Sequence, residues 1–406
     1  MTEPIDAARL GALADEPLDW RYKGLPAAWW GRAPAQLCRK GLNMRDEGPL
    51  GPLCVLRDEA LSHNLATMAA WCDERGVELA PHGKTHMAPQ LLARQFESGA
   101  TAVTVATISQ ARAYRAFGVR EFIVANEVVD AAALRWVGVE LSGDPDLHLV
   151  CWVDSVAGVE QMAVHLADAG RPLDVCVEVG LLGGRTGCRD ATAVDEVALA
   201  AANRPELRLV GVAGYEAALG HDITPDAIGR IEAYLAEMAA AMVRLTPLFE
   251  TEHPIATAGG STYFDAVADV LAGGWRTVIR SGCYLAHDHG LYARTSPLRD
   301  GLRPAVEVWA QVTSRPEPEL ALLTMGRRDV SFDQEMPVPL DLAGAAVTKL
   351  NDQHAYLRLT PHGQDAEVGD WLRFGISHPC TTFDKWQMIP VLDRDDRLVD
   401  LIRTFF

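Results

Sequence analysis

Lysine is scarce in this sequence. Only five of the 37 basic residues are lysines, at positions Lys23, Lys40, Lys84, Lys349 and Lys385. Because arginine supplies the remaining positive charge, each lysine is considered individually as a candidate functional residue. The sequence also lacks any run of about 18 or more apolar residues, which argues against a membrane-spanning helix. Its acidic N-terminus lacks the cationic segment and apolar core of a secretory signal, so we expect a cytoplasmic protein.

Paired cysteines and net positive charge are also missing. The eight cysteines are scattered without a CxxC pair, which in a chain of this length predicts reduced thiols rather than a disulfide framework. The net charge of −18 argues against partners that carry phosphate, such as nucleic acid or an anionic membrane surface. A length of 406 residues predicts two domains.

Apolar strand-like runs alternate with helical segments from about residue 77 onward. Continuous apolar strands separated by helices predict a parallel sheet that is covered on both faces. Eight such strands are the number found in a (β/α)8 TIM-type barrel, although periodicity alone leaves a doubly wound open sheet as an alternative. The predicted strands are 77–81, 102–106, 121–126, 147–153, 173–179, 207–213, 254–258 and 276–280.

The pattern changes after about residue 290. Short alternating runs separated by proline, glycine and aspartate predict an antiparallel β domain. A ninth apolar run, PLCVL at 52–56, exceeds the number that a barrel needs, so we assign it to this β domain. The predicted fold class is therefore α/β, with a barrel domain at 58–289 and a β domain formed by 1–57 and 290–406.

Lys84 lies in the sequence PHGKTH, directly after the first predicted barrel strand. Catalytic residues of barrel enzymes lie at the carboxyl ends of the strands. A desolvated lysine there could form a Schiff base, since burial favours the neutral amine. A solvated loop lysine fits the position equally well. The GKT triplet is not a phosphate-binding P-loop, because Glu78 stands where that motif needs glycine.

The sequence AGGST follows the seventh predicted strand, where barrels commonly bind phosphate. Gly259 and Gly260 allow close approach of the backbone, and Ser261 and Thr262 add hydroxyl groups near the start of a helix. The eighth strand leads into RSGCY, which could place the Tyr284 hydroxyl beside the same phosphate. The sequence therefore indicates a phosphate site.

Three further segments carry candidate residues. Arg185 lies on a glycine-flanked loop after the fifth strand, where it could bind the phenolic oxygen of a pyridine cofactor or pair with a carboxylate. Tyr215 follows the sixth strand and could pack near a cofactor or in the core. His378 and Cys380 are two residues apart, so on an extended strand both would face one side. Imidazole and thiolate together suit Zn²⁺, although a pair that binds nothing is the alternative.

Taken together, PHGKTH, GGRTG, GYE, AGGST and SHPCTTFDKW resemble the fold-type III enzymes that use pyridoxal 5'-phosphate (PLP), which share the alanine racemase-like barrel. They are most similar to the D-serine dehydratase and D-threonine aldolase group. The resemblance implies a homodimer with PLP covalently bound to Lys84 and zinc or another divalent metal at His378 and Cys380. The cofactor residues that it implies are His82, Lys84, Arg185, Tyr215, Gly259, Gly260, Ser261, Thr262 and Tyr284.

SHPCTTFDKW points to the dehydratase side of that group. The expected reaction is PLP- and zinc-dependent conversion of a 3-hydroxy D-amino acid, such as D-serine, into a 2-oxo acid and ammonia. The alternatives are a metal-dependent D-threonine aldolase, an amino-acid racemase and a PLP carrier. Three features depart from the family: Arg280-Ser281-Gly282 replaces a common Arg-Pro-Gly, Met87 stands where a basic residue is common, and residues 1–48 have no clear counterpart.

Overall fold

The computed structural model describes residues 3–360 and 366–406 of the chain. The chain divides into two compact units, each of which is described by itself. The barrel unit consists of Ala69–Lys84 and Gln95–Gly282, with a short N-terminal piece that ends at Ile5. The β unit consists of Asp6–Met68, Thr85–Arg94 and Cys283–Phe406.

Strands and helices alternate through the middle of the chain, and strands dominate its C-terminal part. The strands are β1 (Leu53–Arg57), β2 (Glu78–Leu79), β3 (Val103–Val105), β4 (Glu121–Glu127), β5 (His148–Val153), β6 (Leu173–Val179), β7 (Leu207–Gly214), β8 (Ile255–Ala258), β9 (Arg276–Ile279), β10 (Val306–Glu317), β11 (Leu320–Leu323), β12 (Val338–Pro339), β13 (Ala346–Leu350), β14 (Ala355–Arg358), β15 (Trp371–Gly375), β16 (Met388–Leu392) and β17 (Leu398–Arg403). The α-helices are α1 (Ala7–Asp15), α2 (Pro34–Cys38), α3 (Asp58–Arg75), α4 (Pro89–Glu97), α5 (Ile108–Arg115), α6 (Ala131–Gly143), α7 (Val156–Leu166), α8 (Ala191–Ala202), α9 (Pro225–Leu245), α10 (Phe264–Val270), α11 (Leu291–Thr295) and α12 (Cys380–Phe383).

The barrel unit contains a parallel sheet of eight strands in the order β2-β9-β8-β7-β6-β5-β4-β3. The backbone amides of Thr101 and Thr104 donate to the carbonyl oxygens of Leu79 and Pro81, at 2.9 and 3.0 Å. His82 also forms a parallel bridge with Thr104. These contacts join the two ends of the strand order and close the sheet into a ring. The predicted (β/α)8 barrel is therefore confirmed, and the open sheet is excluded.

The barrel interior is filled by apolar side chains from its strands, as expected for a parallel sheet buried on both faces. Because every strand runs in the same direction, the loops after their carboxyl ends meet at one rim. That rim receives the segments after β2, β6, β7, β8 and β9, which carry the predicted site residues of this unit. The interior cluster consists of Ala80, Ile123, Val150, Trp152, Cys176, Val210, Ala213, Ile255 and Val278.

The β unit contains a sheet in the order β13-β14-β11-β10-β1-β16-β17, with β15 paired to β10 and β12 paired to β15. Its strand pairs are antiparallel except for β1 and β16, which are parallel. The predicted antiparallel β domain is confirmed. The PLCVL run forms β1 in this sheet rather than a ninth barrel strand, as the strand count predicted.

The N-terminal segment forms part of the β unit from Asp6 onward. It contributes α1, α2 and a series of buried apolar side chains. These side chains pack in one cluster with residues of β1, β10, β16 and β17, so the segment completes the core on that part of the sheet. The N-terminal members of the cluster are Leu18, Tyr22, Leu25, Trp29, Leu37 and Met44.

Among residues 3–360 and 366–406, every helix is too short or too polar to span a bilayer. The predicted domain bounds, 58–289 for the barrel and 1–57 with 290–406 for the β domain, stay a prediction. Residues 58–68 and 85–94 pack with the β unit.

A mostly buried charge network supports the β unit. The Arg57 guanidinium donates to Glu307 at 2.9 and 2.7 Å and to Asp396 at 2.6 Å. We expect Arg57→Ala to lower the free energy of unfolding by about 3–5 kcal/mol, because Glu307 would lose its bidentate partner and Asp396 would keep only Arg45. The control Arg244→Ala breaks an exposed pair with Asp195 and should cost less than about 1 kcal/mol. Urea unfolding measures both, and a similarly small loss for Arg57→Ala would contradict this account.

Candidate active site

Lys84 lies in a single turn of 3-10 helix, Gly83–Thr85, after β2. The turn is held by the Tyr114 hydroxyl, which donates to the Gly83 carbonyl oxygen at 2.9 Å. A Cβ at Gly83 would lie 2.7 Å from the Tyr114 ring, so only glycine fits there. Lys84 itself is exposed, and no hydrogen bond or ion pair holds its ammonium among the described residues. The expected desolvation is therefore not seen, but the amine is accessible.

His82 lies two residues before Lys84, at the same rim of the barrel. Its ring Nδ1 is buried and has no hydrogen-bond partner in the described part of the chain. Burial and the positive charges of Lys84, Arg280 and Arg185 lower the pKa of His82 well below its usual value. His82 is therefore a neutral ring in a cationic environment, and its orphaned nitrogen fits a polar group of a bound cofactor.

The AGGST loop is held by a carboxylate that the sequence did not reveal. Glu216 is fully buried, and its two carboxyl oxygens accept from the amides of Gly259 at 3.0 Å and Gly260 at 2.6 Å. Gly259 adopts a φ of +98°, which favours glycine. The amides of Gly259 and Gly260 are therefore already occupied by the Glu216 carboxylate. A phosphate role for Gly259, Gly260, Ser261 and Thr262 stays a prediction.

The predicted cofactor residues Thr262 and Tyr284 have different surroundings. The Thr262 hydroxyl contacts His221 Nδ1 at 2.9 Å. Nearby, the Ser281 hydroxyl donates to the Gly260 carbonyl oxygen at 3.1 Å. Tyr284 is buried and belongs to the β unit. Its role towards phosphate stays a prediction as well.

Arg280 is a buried cation directly after β9. The sequence indicated it only as the first residue of Arg280-Ser281-Gly282. It donates to the Thr257 hydroxyl at 2.7 Å and to the Gly214 carbonyl oxygen at 2.6 Å. Its guanidinium also lies 5.4 Å from the Trp152 ring centroid. Burial lowers the pKa of Arg280, and the carboxylates of Glu216 and Glu178 oppose that effect. Arg280 therefore ties three strand ends together and adds positive charge to the rim.

Arg185 pairs with a carboxylate, which is one of the two roles that the sequence allowed for it. Its guanidinium lies 3.6 Å from Glu178 Oε1, and Glu178 is only 2% exposed. The same guanidinium lies 4.6 Å from the centroid of the Tyr215 ring. Tyr215 is fixed in turn by its backbone amide, which donates to the Tyr234 hydroxyl at 2.9 Å. The rim thus brings Arg185 and Tyr215 together as predicted candidates, and it adds Glu178.

The candidate metal residues lie in the β unit, but not on an extended strand as predicted. His378 has a φ of +65°, and Cys380 opens the short helix α12. Pro379, at the helix N-cap with ψ of −26°, turns the chain between them. The imidazole of His378 nevertheless forms a hydrogen bond with the thiol of Cys380, so the two side chains converge by a local turn. Asp288 accepts from the His378 amide at 2.9 Å and fixes this backbone.

The donor set is consistent with a metal that takes two protein ligands. Asp333 Oδ2 lies 2.5 Å from His378 Nδ1, and a carboxylate in that position orients the other ring nitrogen towards a metal. Burial disfavours the charged ring of His378, but Cys380 and Asp333 outweigh it and raise its pKa to about 9. In the described part of the chain, no group of three or more His, Cys, Asp or Glu side chains is arranged to hold a metal ion.

A second thiol lies beside Cys380. The Sγ atoms of Cys283 and Cys380 are 3.5 Å apart, and the Thr85 hydroxyl lies 3.4 Å from Cys380 Sγ. The hydrogen bond from Cys283 lowers the pKa of Cys380 well below its usual range. This shift favours the thiolate form of Cys380, which is the form that binds metal. Cys283 could not be recognised from the sequence, because Cys380 lies nearly 100 residues away in the chain.

Glu216 offers a direct test of the rim. Glu216→Ala would leave two buried amides unpaired, at a cost of about 1–3 kcal/mol each, and we expect the 258–262 peptide to lose most of its protection from amide hydrogen exchange. Glu216→Gln keeps one acceptor oxygen and should retain partial protection. The exposed Glu237 on α9 provides the control variant Glu237→Ala. Unchanged exchange in Glu216→Ala would show that the carboxylate does not hold the loop.

Comparison with known proteins gives two family matches. The family described as "Alanine racemase, N-terminal domain" matches residues 57–285, and the "Putative serine dehydratase domain" matches residues 305–392. Among individual relatives, D-threonine aldolase from Arthrobacter sp. is 30% identical over 82% of this chain and 86% of that protein. D-threo-3-hydroxyaspartate dehydratase from Delftia sp. (strain HT23) is 30% identical over a shorter stretch, 34% of this chain and 35% of that protein.

The crystal structure of D-threonine aldolase from Filomicrobium marinum superposes with a TM-score of 0.78 at 26% identity, covering 92% of this chain and 98% of that chain. The fold of the barrel unit and that of the β unit thus occur together in a known group of proteins. The chain belongs to the alanine racemase-like, fold-type III family of PLP-dependent enzymes, among the D-amino acid lyases that include D-threonine aldolase and 3-hydroxyaspartate dehydratase.

Proposed function

We propose that this lyase is a PLP- and zinc-dependent dehydratase of a 3-hydroxy D-amino acid such as D-serine, which it converts into a 2-oxo acid and ammonia. The observation that carries this proposal is the convergence of the His378 imidazole and the Cys380 thiolate, with Asp333 behind the imidazole. His378 and Cys380 lie in the region that matches the putative serine dehydratase domain.

The barrel unit supplies residues that suit PLP. When bound, PLP acts as an electron sink that stabilises negative charge at the Cα atom of an amino acid. Lys84 would hold the cofactor covalently and then accept the Cα proton at Nζ, for which an accessible amine without an ion pair is suited. Arg185 would bind the phenolic oxygen. The cofactor ring would lie beside the neutral imidazole of His82.

The β unit supplies residues that suit zinc. A bound Zn²⁺ is a Lewis acid, and it would make the β-hydroxyl of the substrate a better leaving group. His378 and Cys380 would provide the nitrogen and sulfur ligands that this metal prefers. Asp333 would accept a hydrogen bond from His378 Nδ1–H, which leaves Nε2 free to bind the metal. The homodimer and the cytoplasmic location implied at the outset stay predictions.

A retro-aldol reaction is the second candidate function. The relative with long coverage and 30% identity is a D-threonine aldolase, which supports cleavage of D-threonine to glycine and acetaldehyde. The same ligand set could serve both reactions, because a metal at the β-hydroxyl favours either its loss or its deprotonation. The racemase reading is weaker, since that reaction gives His378 and Cys380 no purpose.

Product analysis separates these functions. With PLP and Zn²⁺ supplied, we expect D-serine to yield pyruvate and D-threonine to yield 2-oxobutyrate, each with ammonia. Chelation should abolish the reaction, and added Zn²⁺ should restore it. Asp333→Asn should reduce metal affinity or activity by about 10–100-fold, since this partner orients a metal ligand. His354→Ala, which removes an exposed histidine of the same unit, is the matched control.

The contrary outcomes are equally specific. Glycine and acetaldehyde from D-threonine would establish the aldolase instead. Racemised amino acid without 2-oxo acid would revive the racemase, and binding of PLP without turnover of any D-amino acid would favour the PLP carrier.

A further inference from the structure

Two carboxyl groups lie inside the barrel and take no part in the proposed reaction. Glu127 is the last residue of β4, and Glu178 lies near the end of β6. Ala125 and Cys176 belong to or pack against the interior cluster. Because strand side chains alternate with a period of two, Glu178 faces the same interior as Cys176. The register of β4 against β5 shifts between Ile123 and Glu127, and Glu127 is placed in this interior by its contact with Glu178. Both therefore lie at the catalytic end of the barrel core.

The surroundings of these carboxyl groups lack donors. Both oxygens of Glu127 and Oε2 of Glu178 are buried, and in the described part of the chain no amide, hydroxyl or guanidinium donates to them. Glu127 instead meets the carboxyl group of Glu178. Two carboxylate ions cannot hydrogen-bond to each other, since both are acceptors only. A single proton between them satisfies the contact and removes one of two adjacent buried charges.

Glu178 is also the carboxylate that faces Arg185. Its Oε1 lies 3.6 Å from the guanidinium, which in turn lies 4.6 Å from the Tyr215 ring centroid. Oε2 of Glu178 is therefore the oxygen that is available to the Glu127 carboxyl group. Glu178 therefore lies between Glu127 on one side and Arg185 on the other.

We propose that Glu127 is a buried carboxylic acid that positions Arg185 for cofactor binding by donating its proton to Glu178. Glu127 and Glu178 are positioning residues in this role, because they act through Arg185. The proposal rests on the proposed function in one respect: Arg185 is taken to bind PLP. The shared proton itself requires no cofactor.

The charges around Glu127 give this arrangement an alkaline limit. Burial, the hydrogen bond and charge of Glu178, and the charge of Asp154 raise the pKa of Glu127 to about 8. Glu127 therefore keeps its proton at neutral pH and loses it above about pH 8. The thiols of Cys151 and Cys188 also face it, and burial raises the pKa of each, for Cys188 to about 12, so both stay neutral there. Ionised Glu127 would repel Glu178 and disturb its contact with Arg185.

Two isosteric variants and one control test the proposal. The amide of Glu127→Gln can donate to Glu178 as the acid does, but it cannot lose a proton. Glu178→Gln removes the negative charge that faces Arg185. Glu121→Gln changes a carboxylate at the opposite end of β4 and serves as the control. The readouts are the infrared carbonyl band of a protonated carboxyl group, recorded without PLP, and the dissociation constant of PLP from pH 6.5 to 9.5.

We expect wild-type protein to show the infrared band and to lose PLP affinity above about pH 8. Glu127→Gln should lack the band and the alkaline loss of affinity, whereas Glu121→Gln should keep both. Glu178→Gln should weaken PLP binding by about tenfold or more at pH 7, as expected when one partner of a buried charge contact is removed. A band that persists in Glu127→Gln, or an unchanged alkaline loss, overturns the proposal. So does unchanged PLP affinity in Glu178→Gln. Wild-type protein that binds no PLP contradicts the proposed function instead, while the infrared band still reports on the shared proton.

Discussion

Backbone hydrogen bonds from Thr101 and Thr104 to Leu79 and Pro81 close eight parallel strands into a ring. The candidate cofactor site of the barrel unit depends on that closure. Because the strands are parallel, the loops after them gather at one rim, where Lys84, Arg185 and the AGGST loop come from strands far apart in sequence. The interior below the rim is apolar, so each charge placed there needs a partner. Arg280 and Glu216 meet that need through hydrogen bonds to strand ends and to loop amides. The same contacts fix the shape of the rim.

Much of the fold follows from local sequence pattern. Each of the eight apolar runs forms a barrel strand, because a strand buried on both faces must be apolar along its length. The N-terminal segment was not predictable in this way, since Leu18, Tyr22 and Trp29 have no strand or helix period and are ordered by packing with the β unit. The packing of residues 58–68 and 85–94 with the β unit was equally hidden, because it depends on tertiary contacts rather than on composition.

Family motifs indicated candidate site residues, whereas single residues that act through long-range contacts were hidden. Glu127, Glu178 and Glu216 appear in the sequence as isolated acidic residues at strand ends, which usually face solvent. Only the structure shows that they are buried and that their partners are an arginine, two glycine amides and each other. The turn at Pro379 was hidden as well, since spacing alone suggested an extended strand. Buried acids therefore hold the arginine and the glycine loop that accompany the candidate lysine at the rim.

The central claim is that Lys84 is the residue that binds PLP, and the scarcity of lysine makes it directly measurable. Reduction of the PLP-loaded protein with borohydride, followed by peptide mass mapping, distinguishes all five lysines. The account predicts one pyridoxyl group on the peptide that contains Lys84 and none in Lys84→Ala. A pyridoxyl group on another lysine of the wild-type protein, or equal labelling of Lys84→Ala, would contradict it.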